Sequence, residues 1–182
     1  MQHYLLTTAL ALLVALTLTT PSIADEDEIL KSKLLNTIKV SLGQALEVAE
    51  RDGKGKAVKA EFEIEHDRAL WEIKILSGTG LLDYAIDTET GQIAKIDDER
   101  VQERLYSMIM AMRFKDFETA KVGAVEAVAA AEQQTAAKGI FLEVEREYGR
   151  VGQFEYELIL RSGHKTYWVG VDATTGHIVS MQ

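Results

Sequence analysis

The sequence predicts an α+β fold built from two tandem copies of one small module. The stretch from Trp71 to Ile93 returns 85 residues later, without a gap, as Tyr156 to Ile178, and seven of the 23 positions are identical. In both copies, apolar and polar residues alternate along short segments, which is typical of antiparallel strands with one buried face. A segment with helical periodicity precedes each set of strands. We therefore expect each module to pack one helix on a four-stranded antiparallel meander.

The first 24 residues have the features of a secretory signal peptide. Residues 4–18 form an apolar run, Pro21 breaks a helix, and the small residues Ser22 and Ala24 suit a cleavage site. An uncleaved membrane anchor is the alternative, but the run is shorter than the roughly 20 apolar residues that a spanning helix needs. We expect cleavage after Ala24 and a periplasmic or secreted protein without stable membrane insertion.

The charge and the cysteine count exclude several function classes. The formal net charge is −9, and no charged side chain occurs before residue 25. Basic residues form no patch, which argues against nucleic acid and anionic membranes as partners. The chain has no Cys, so disulfides, thiol catalysis and Cys-ligated zinc are excluded.

A short amphipathic helix over Glu28 to Ile38, within the N-terminal segment 25–39, precedes the first module, residues 40–96. Ser41 and Gln44 fit a capping box that begins the module's helix, and this helix is expected to end near Arg51. The inward apolar residues of the next three strands are Val58, Ala60, Phe62 and Ile64, then Trp71, Ile73 and Ile75, then Leu82, Tyr84 and Ile86. Residues 87–91 form a turn, and strand four follows over residues 92–96.

The second module, residues 122–182, repeats this order after a helical connector, residues 97–121, whose helix we expect over residues 98–112. Gly123 replaces the capping Ser, and the helix is expected to run to about Ala137. The inward residues of its strands are Ile140, Leu142 and Val144, then Phe154, Tyr156, Leu158 and Leu160, then Tyr167, Val169 and Val171. A turn over residues 172–176 leads to strand four, residues 177–181.

These motifs resemble the PepSY domain. The strand W-E-I-K-I and the closing Y-x-I-D-x-x-T-G-x-I carry the resemblance in the first copy, and F-E-Y-E-L-I-L with V-G-V-D-A-T-T-G-H-I-V carries it in the second. The family is similar to a segment of secreted metallopeptidase propeptides. The resemblance implies a protein-binding role, including inhibition or regulation of extracytoplasmic peptidases, and it implies no catalytic residues and no cofactor.

The residues themselves show no constellation for catalysis. No G-x-S-x-G or H-E-x-x-H motif occurs, and His66, His164 and His177 lie in or next to predicted turns. The segment from Asp87 to Gly91 is loosely similar to a calcium loop but lacks the alternating acids and the terminal Glu, so a plain hairpin turn is favoured. We expect a protein that is not an enzyme and that has no metal site.

The acidic face of the predicted sheet is the candidate contact surface. Glu side chains accumulate at outward strand positions in both copies: Glu61, Glu63, Glu65 and Glu72, then Glu143, Glu145, Glu155 and Glu157. A solvated outer face is one interpretation, and a binding surface for a basic partner or divalent ions is the other. Trp168 aligns with Asp83 on the outward side of strand three. It is either a contact residue or packs on the connector or the other module.

The sequence thus favours an exported, non-catalytic binding protein of PepSY type whose partner is another extracytoplasmic protein, a peptidase or an envelope protein. The alternative is a periplasmic protein that binds a small ligand or a divalent metal on its acidic sheet faces.

Overall fold

The computed structural model describes residues 33–66, 68–78, 80–98, 113–114, 116–146 and 153–182. The predicted signal peptide and all but the first residue of the predicted connector helix lie outside this part of the chain. The helices described are α1 (Leu42–Gly53), a 3-10 helix (Phe117–Thr119) and α2 (Ala124–Thr135). None of them is long and apolar enough to cross a membrane.

The strands form an antiparallel sheet, so the predicted α+β class is confirmed. The first module supplies β1 (Lys56–Glu65), β2 (Arg68–Ser77), β3 (Gly80–Asp87) and β4 (Ile93–Asp98). The second supplies β5 (Lys138–Arg146), β6 (Phe154–Ser162), β7 (Lys165–Asp172) and β8 (Ile178–Met181). The strand order is β4-β3-β2-β1-β5-β6-β7-β8 in one eight-stranded sheet.

The two modules meet where β1 pairs with β5. The sequence left the relation of the two sheets open, and the structure joins them edge to edge. Three residue pairs make the seam: Lys59 with Glu143, Ala60 with Leu142, and Glu61 with Phe141. The first strand of each module therefore has no free edge along this stretch, and β4 and β8 form the outer edges of the sheet.

Local sequence explains where the two helices begin and end. The predicted capping box of α1 is present: the Gln44 amide donates to Ser41 Oγ at 3.3 Å, and the Ser41 amide donates to Gln44 Oε1 at 2.9 Å. In α2 only half of the box forms, because Gly123 has no side chain to accept a hydrogen bond; its amide donates to Glu126 Oε2. Ala136 has a left-handed φ of 53°, so α2 ends two residues before the predicted Ala137.

The predicted N-terminal helix ends earlier than the sequence suggested. Only residues 33–35 are helical there, although the prediction extended to Ile38. Both the amide and the hydroxyl of Thr37 donate to the Leu34 carbonyl at 2.8 Å. This local hydrogen bonding competes with continuation of the helix, which explains the earlier end. Residues 25–32 lie outside the described part.

The core lies between the two helices and one face of the sheet. The predicted inward residues Trp71 and Tyr156 occupy equivalent places and are both buried. Each donates a hydrogen bond of 2.9 Å to a main-chain carbonyl just before a helix, Trp71 Nε1 to Val40 and the Tyr156 hydroxyl to Val122. A buried ring that satisfies its own polar atom in this way fixes the position of the helix start on the sheet.

Candidate functional site

The face of the sheet away from α1 and α2, called the outer face below, carries every residue of the predicted contact surface. Strand alternation puts the buried apolar side chains toward the helices and these residues on the opposite side. The residues are Glu61, Glu63, Glu72, Glu143, Glu145, Glu157 and Trp168.

The strand register brings acidic side chains directly opposite one another. The like-charged pairs are Glu61 with Glu72, Glu143 with Glu157, and Glu145 with Glu155. Partial burial, followed by the charges of Glu61 and Glu63, raises the pKa of Glu72 above its usual range. Partial burial and then Glu145 raise the pKa of Glu143 in the same way. The ionised face is therefore under electrostatic strain that a cation would relieve.

The first module balances much of this charge with its own lysines. Each of three lysines pairs with an acid on the outer face: Lys59 with Glu61 at 2.6 Å, Lys74 with Asp83 at 2.8 Å, and Lys95 with Asp97 at 2.6 Å. Exposed pairs such as these add little stability. Their main effect is to offset the charges of Glu61, Asp83 and Asp97 on this half of the face.

The second module keeps the glutamates of this face but not the lysines. It also replaces Asp83 and Asp97, the partners of Lys74 and Lys95, by Trp168 and Gln182. The row Lys59, Lys74 and Asp83 runs across β1, β2 and β3. The equivalent row across β5, β6 and β7 is Phe141, Ile159 and Trp168, which we call the apolar stripe. Ser180 stands where the first module has Lys95, as the repeat spacing of 85 shows. This half of the face thus combines carboxylates, one of which pairs with Arg113, with apolar side chains.

A small residue in the third strand of each module leaves a hollow in the outer face. Ala85 lies beside Glu72 in a hollow of about 120 Å³, and Gly170 lies beside Glu157 in a hollow of about 180 Å³. The first hollow is walled by Lys74, Lys95 and acidic side chains, whereas Trp168, Ser180 and Gln182 wall the second. A Cβ atom on residue 170 would lie 1.7 Å from Glu155 Oε1, so a side chain there would displace Glu155.

Trp168 is the most distinctive side chain of this surface. It is 55% exposed, whereas Trp71, the other Trp of the chain, is 1% exposed. Sequence comparison predicted its outward position. Phe141 and Ile159 were not predicted as surface residues, because β1 and β5 repeat at a spacing of 82 rather than 85 and because a single apolar side chain at an outward strand position is common.

The repeated D-x-x-T-G segments form turns that use their own carboxylates. Asp87 Oδ1 accepts hydrogen bonds from the amides of Glu89 and Thr90 at 3.0 and 2.9 Å, and also from the Thr90 hydroxyl. Asp172 makes the same three contacts in the second copy. The Arg68 guanidinium and these donors lower the pKa of Asp87 to about 2. The geometry is that of a hairpin turn, as the sequence favoured over a calcium loop.

The predicted turn histidines lie apart from one another and are exposed: His66 between β1 and β2, His164 between β6 and β7, and His177 before β8. Among the described residues, no group of three or more His, Asp or Glu side chains is arranged to hold a metal ion.

Helices on one face of a continuous antiparallel sheet, with no described helix on the charged opposite face, define a small α+β protein of two repeated units. The chain belongs to the PepSY family. The family, described as the peptidase propeptide and YPEB domain, matches residues 39–97 and 121–182, more than half of the chain. The resemblance seen in the repeated motifs is thereby confirmed.

Two solved structures are similar to the chain at low identity. One is a candidate lipoprotein from Clostridium difficile 630, with 12% identity and a TM-score of 0.45 over 80% of this chain and 93% of that chain. The other is the C-terminal domain of YpeB from Bacillus megaterium, with 15% identity and a TM-score of 0.31; the likeness spans 80% of this chain and 66% of that one. No curated protein matches the chain. Neither structural likeness bears on the function.

Proposed function

We propose that this protein is an exported, non-catalytic binding protein that modulates or inhibits an extracytoplasmic peptidase. Its signal peptide, residues 1–24, directs export, and two PepSY modules, residues 40–96 and 122–182, form the binding body. The observation that carries the proposal is the exposure of Trp168, 55%, on the outer face of the sheet. Family membership agrees with it, because the family description includes peptidase propeptides.

Several physical features of the outer face support protein binding. Tryptophan is enriched among the residues that dominate binding energy, and the face of an eight-stranded sheet offers a broad contact area. The opposite face packs against α1 and α2 in the core. The carboxylates around Trp168 make the surface negatively charged, which favours positively charged partners and speeds their association.

Comparative affinity capture from an extracytoplasmic extract tests the proposal. The wild-type protein is immobilised beside two variants, Trp168→Asp on the outer face and Ile96→Ser, which alters an exposed side chain of β4 on the helix side of the sheet. We expect one or more proteins, a peptidase among them, to bind the wild type and the Ile96 variant but not the Trp168 variant. Equal recovery on all three, or none above background, would contradict the proposal.

A direct assay then addresses the peptidase. The captured enzyme is purified and its hydrolysis of a chromogenic peptide is measured with increasing wild-type protein. A modulator changes the rate saturably, and the Trp168 variant requires a higher concentration for the same effect. A rate that does not respond to saturating protein leaves binding intact and removes the regulatory part of the proposal.

Binding of a small ligand is a second candidate, favoured by one cavity on the helix side. A cavity of about 220 Å³ lies between the segment before α1 and the start of β5, lined by Leu35, Trp71 and Lys138 among others. In the second module, Phe117 packs at the equivalent place, and Lys56 donates to the Ala120 carbonyl. Calorimetry with fatty acids tests the cavity, and calorimetry with Ca²⁺ and Zn²⁺ tests metal binding on the acidic faces.

A further inference from the structure

We propose that the second-module half of the outer face binds a lysine or arginine side chain of an extended, basic and partly apolar segment of the partner protein. The cation pairs with Glu157, and the stem and neighbouring apolar side chains lie on Trp168 and the apolar stripe. This inference deepens the proposed function, because it specifies the chemistry of the partner that the outer face takes.

In the first module, lysines of the chain itself pair with acids on this face. There, the hollow beside Ala85 is walled by Lys74 and Lys95, which form ion pairs with Asp83 and Asp97. The charge of Lys74 also lowers the pKa of Glu72, against the stronger upward effects of burial and of neighbouring Glu residues. Internal lysines thus occupy the acidic hollow of the first copy.

The second module keeps the acceptor and removes the internal cations. Glu157 is the equivalent of Glu72, since both are outward residues at the same position of the repeat. The positions of Lys59, Lys74 and Lys95 are taken by Phe141, Ile159 and Ser180. The hollow beside Gly170, of about 180 Å³, is lined by Glu157, Trp168, Ser180 and Gln182, and no lysine lines it.

The apolar residues that replace the lysines can also contact the apolar stem of a basic side chain. Lysine and arginine carry apolar stems that lie along apolar surface while the charged end stays in a polar setting. A cation near the face of an indole ring gains further attraction, and Trp is the best ring for this contact. Glu157 and Trp168 line the same hollow, so one side chain can contact both.

The neighbouring charges favour a partner segment with several basic residues. Glu143 and Glu157 face each other directly, as do Glu145 and Glu155, and burial with like charge raises the pKa of Glu143. Arg113 binds Glu145 at 2.8 Å and accounts for part of this charge. Side chains of an extended segment alternate between two sides, so basic residues at every second position would follow the rows of carboxylates.

Binding of synthetic peptides tests the inference. The probe is a fluorescein-labelled ten-residue peptide of alternating arginine and valine, measured by anisotropy with the full mature protein. Two control peptides replace arginine by citrulline, which keeps the shape but lacks the charge, or by glutamate. We expect saturable binding of the arginine peptide, weaker by about tenfold or more for citrulline, and none for glutamate.

Variants assign the site within the face. Glu157→Gln should weaken binding by about three- to tenfold, because it removes the charge and keeps the shape. The double variant Ile159→Lys with Trp168→Asp restores the ion pair of the first module and should abolish binding. Glu47→Gln removes a carboxylate from the exposed side of α1 and should leave the affinity within about twofold. Circular dichroism checks that each variant is folded.

The outcomes separate this inference from the proposed function. If the arginine peptide binds equally to the wild type and to both outer-face variants, the inference is wrong. It is also wrong if no peptide binds while protein capture still depends on Trp168, and in that case the proposed function stands. If neither peptide binding nor Trp168-dependent capture occurs, both proposals fail.

Discussion

Asp87 and Asp172 explain why five-residue segments recur so closely in the two modules. Each carboxylate holds two amides and a Thr hydroxyl of its own turn, and the Gly that closes each turn has a positive φ, 71° at Gly91 and 74° at Gly176. Only certain residue types can adopt this geometry. Selection for the turn therefore keeps the same Asp, Thr and Gly residues in both copies. The repeated motif is therefore structural, and it does not mark the binding surface.

Replacing the turn carboxylate should lower stability. Asp87→Ala removes three acceptor contacts and the Arg68 ion pair, and we expect a loss of about 1–3 kcal/mol in the free energy of unfolding at pH 7. Because the folded-state pKa of Asp87 is lowered to about 2, its charge contributes above the ordinary pKa near 4, and this contribution is lost as the pH falls toward 2.

Urea unfolding at several pH values between 7 and 2 measures the difference in the free energy of unfolding between the wild type and the Asp87 variant. Glu89→Ala is the matched control, because it removes an exposed carboxylate from the same turn and should change stability by less than about 0.5 kcal/mol. If the difference in free energy between the wild type and the Asp87 variant stays constant down to pH 2, the charge of Asp87 does not contribute to stability.

Glu72 should show the opposite pH dependence. Its folded-state pKa is raised by burial and by Glu61, so the folded protein holds the proton more tightly than the unfolded chain does. Stability therefore falls as the pH rises from the unfolded pKa, near 4.3, through the raised folded pKa. Glu72→Gln should stabilise the protein by about 0.2–1 kcal/mol at pH 7 and lose this advantage at acidic pH. Chemical unfolding at pH 7 and pH 4 provides the comparison, and a variant less stable than the wild type at pH 7 would refute it.

At the scale of elements, the seam between β1 and β5 decides how the modules are arranged. Leu142 lies at the seam opposite Ala60 and is fully buried under the helix layer. Leu142→Ala should lower the free energy of unfolding by about 2–5 kcal/mol through lost burial and a cavity. Val179→Ala, at an exposed position of β8, should cost less than about 0.5 kcal/mol. Denaturant unfolding of both variants measures the difference, and similar costs would contradict the packing of the seam.

Strand alternation and turn chemistry predicted the elements well, because those signals are local. The inward residues of β2 and β6 and the capping box of α1 follow from spacing alone. The β1–β5 pairing was not predictable in this way, because backbone donors and acceptors are the same in every edge strand and carry no sequence signal. The hollows at Ala85 and Gly170 were missed for a related reason: they depend on which side chains the register brings together across strands.

We expect the whole molecule to unfold as one cooperative unit. Trp71 lies in the first module and Trp168 in the second, so each reports on its own half. With 5-fluorotryptophan incorporated, ¹⁹F NMR gives one resonance for each. Because the sheet is continuous and α1 packs against α2, we expect the two resonances to lose their native signals at the same urea concentration. Separate midpoints would indicate modules that unfold independently.

Duplication leaves the two halves of the outer face with different side chains. The first half pairs three of its acids with Lys59, Lys74 and Lys95, and the second half carries the apolar stripe beside carboxylates. We infer that the first module mainly supports the fold and that the second presents the contact surface. This division places the expected partner on one half of one face.

Site-specific photo-crosslinking tests that placement most directly. Benzoylphenylalanine is introduced in place of Trp168 on the outer face or in place of Ile96 on the helix side of β4, and cells that express each variant are irradiated. We predict a covalent adduct with another extracytoplasmic protein from position 168 and none from position 96. An adduct from position 96 alone, or equal adducts from both positions, would contradict the account.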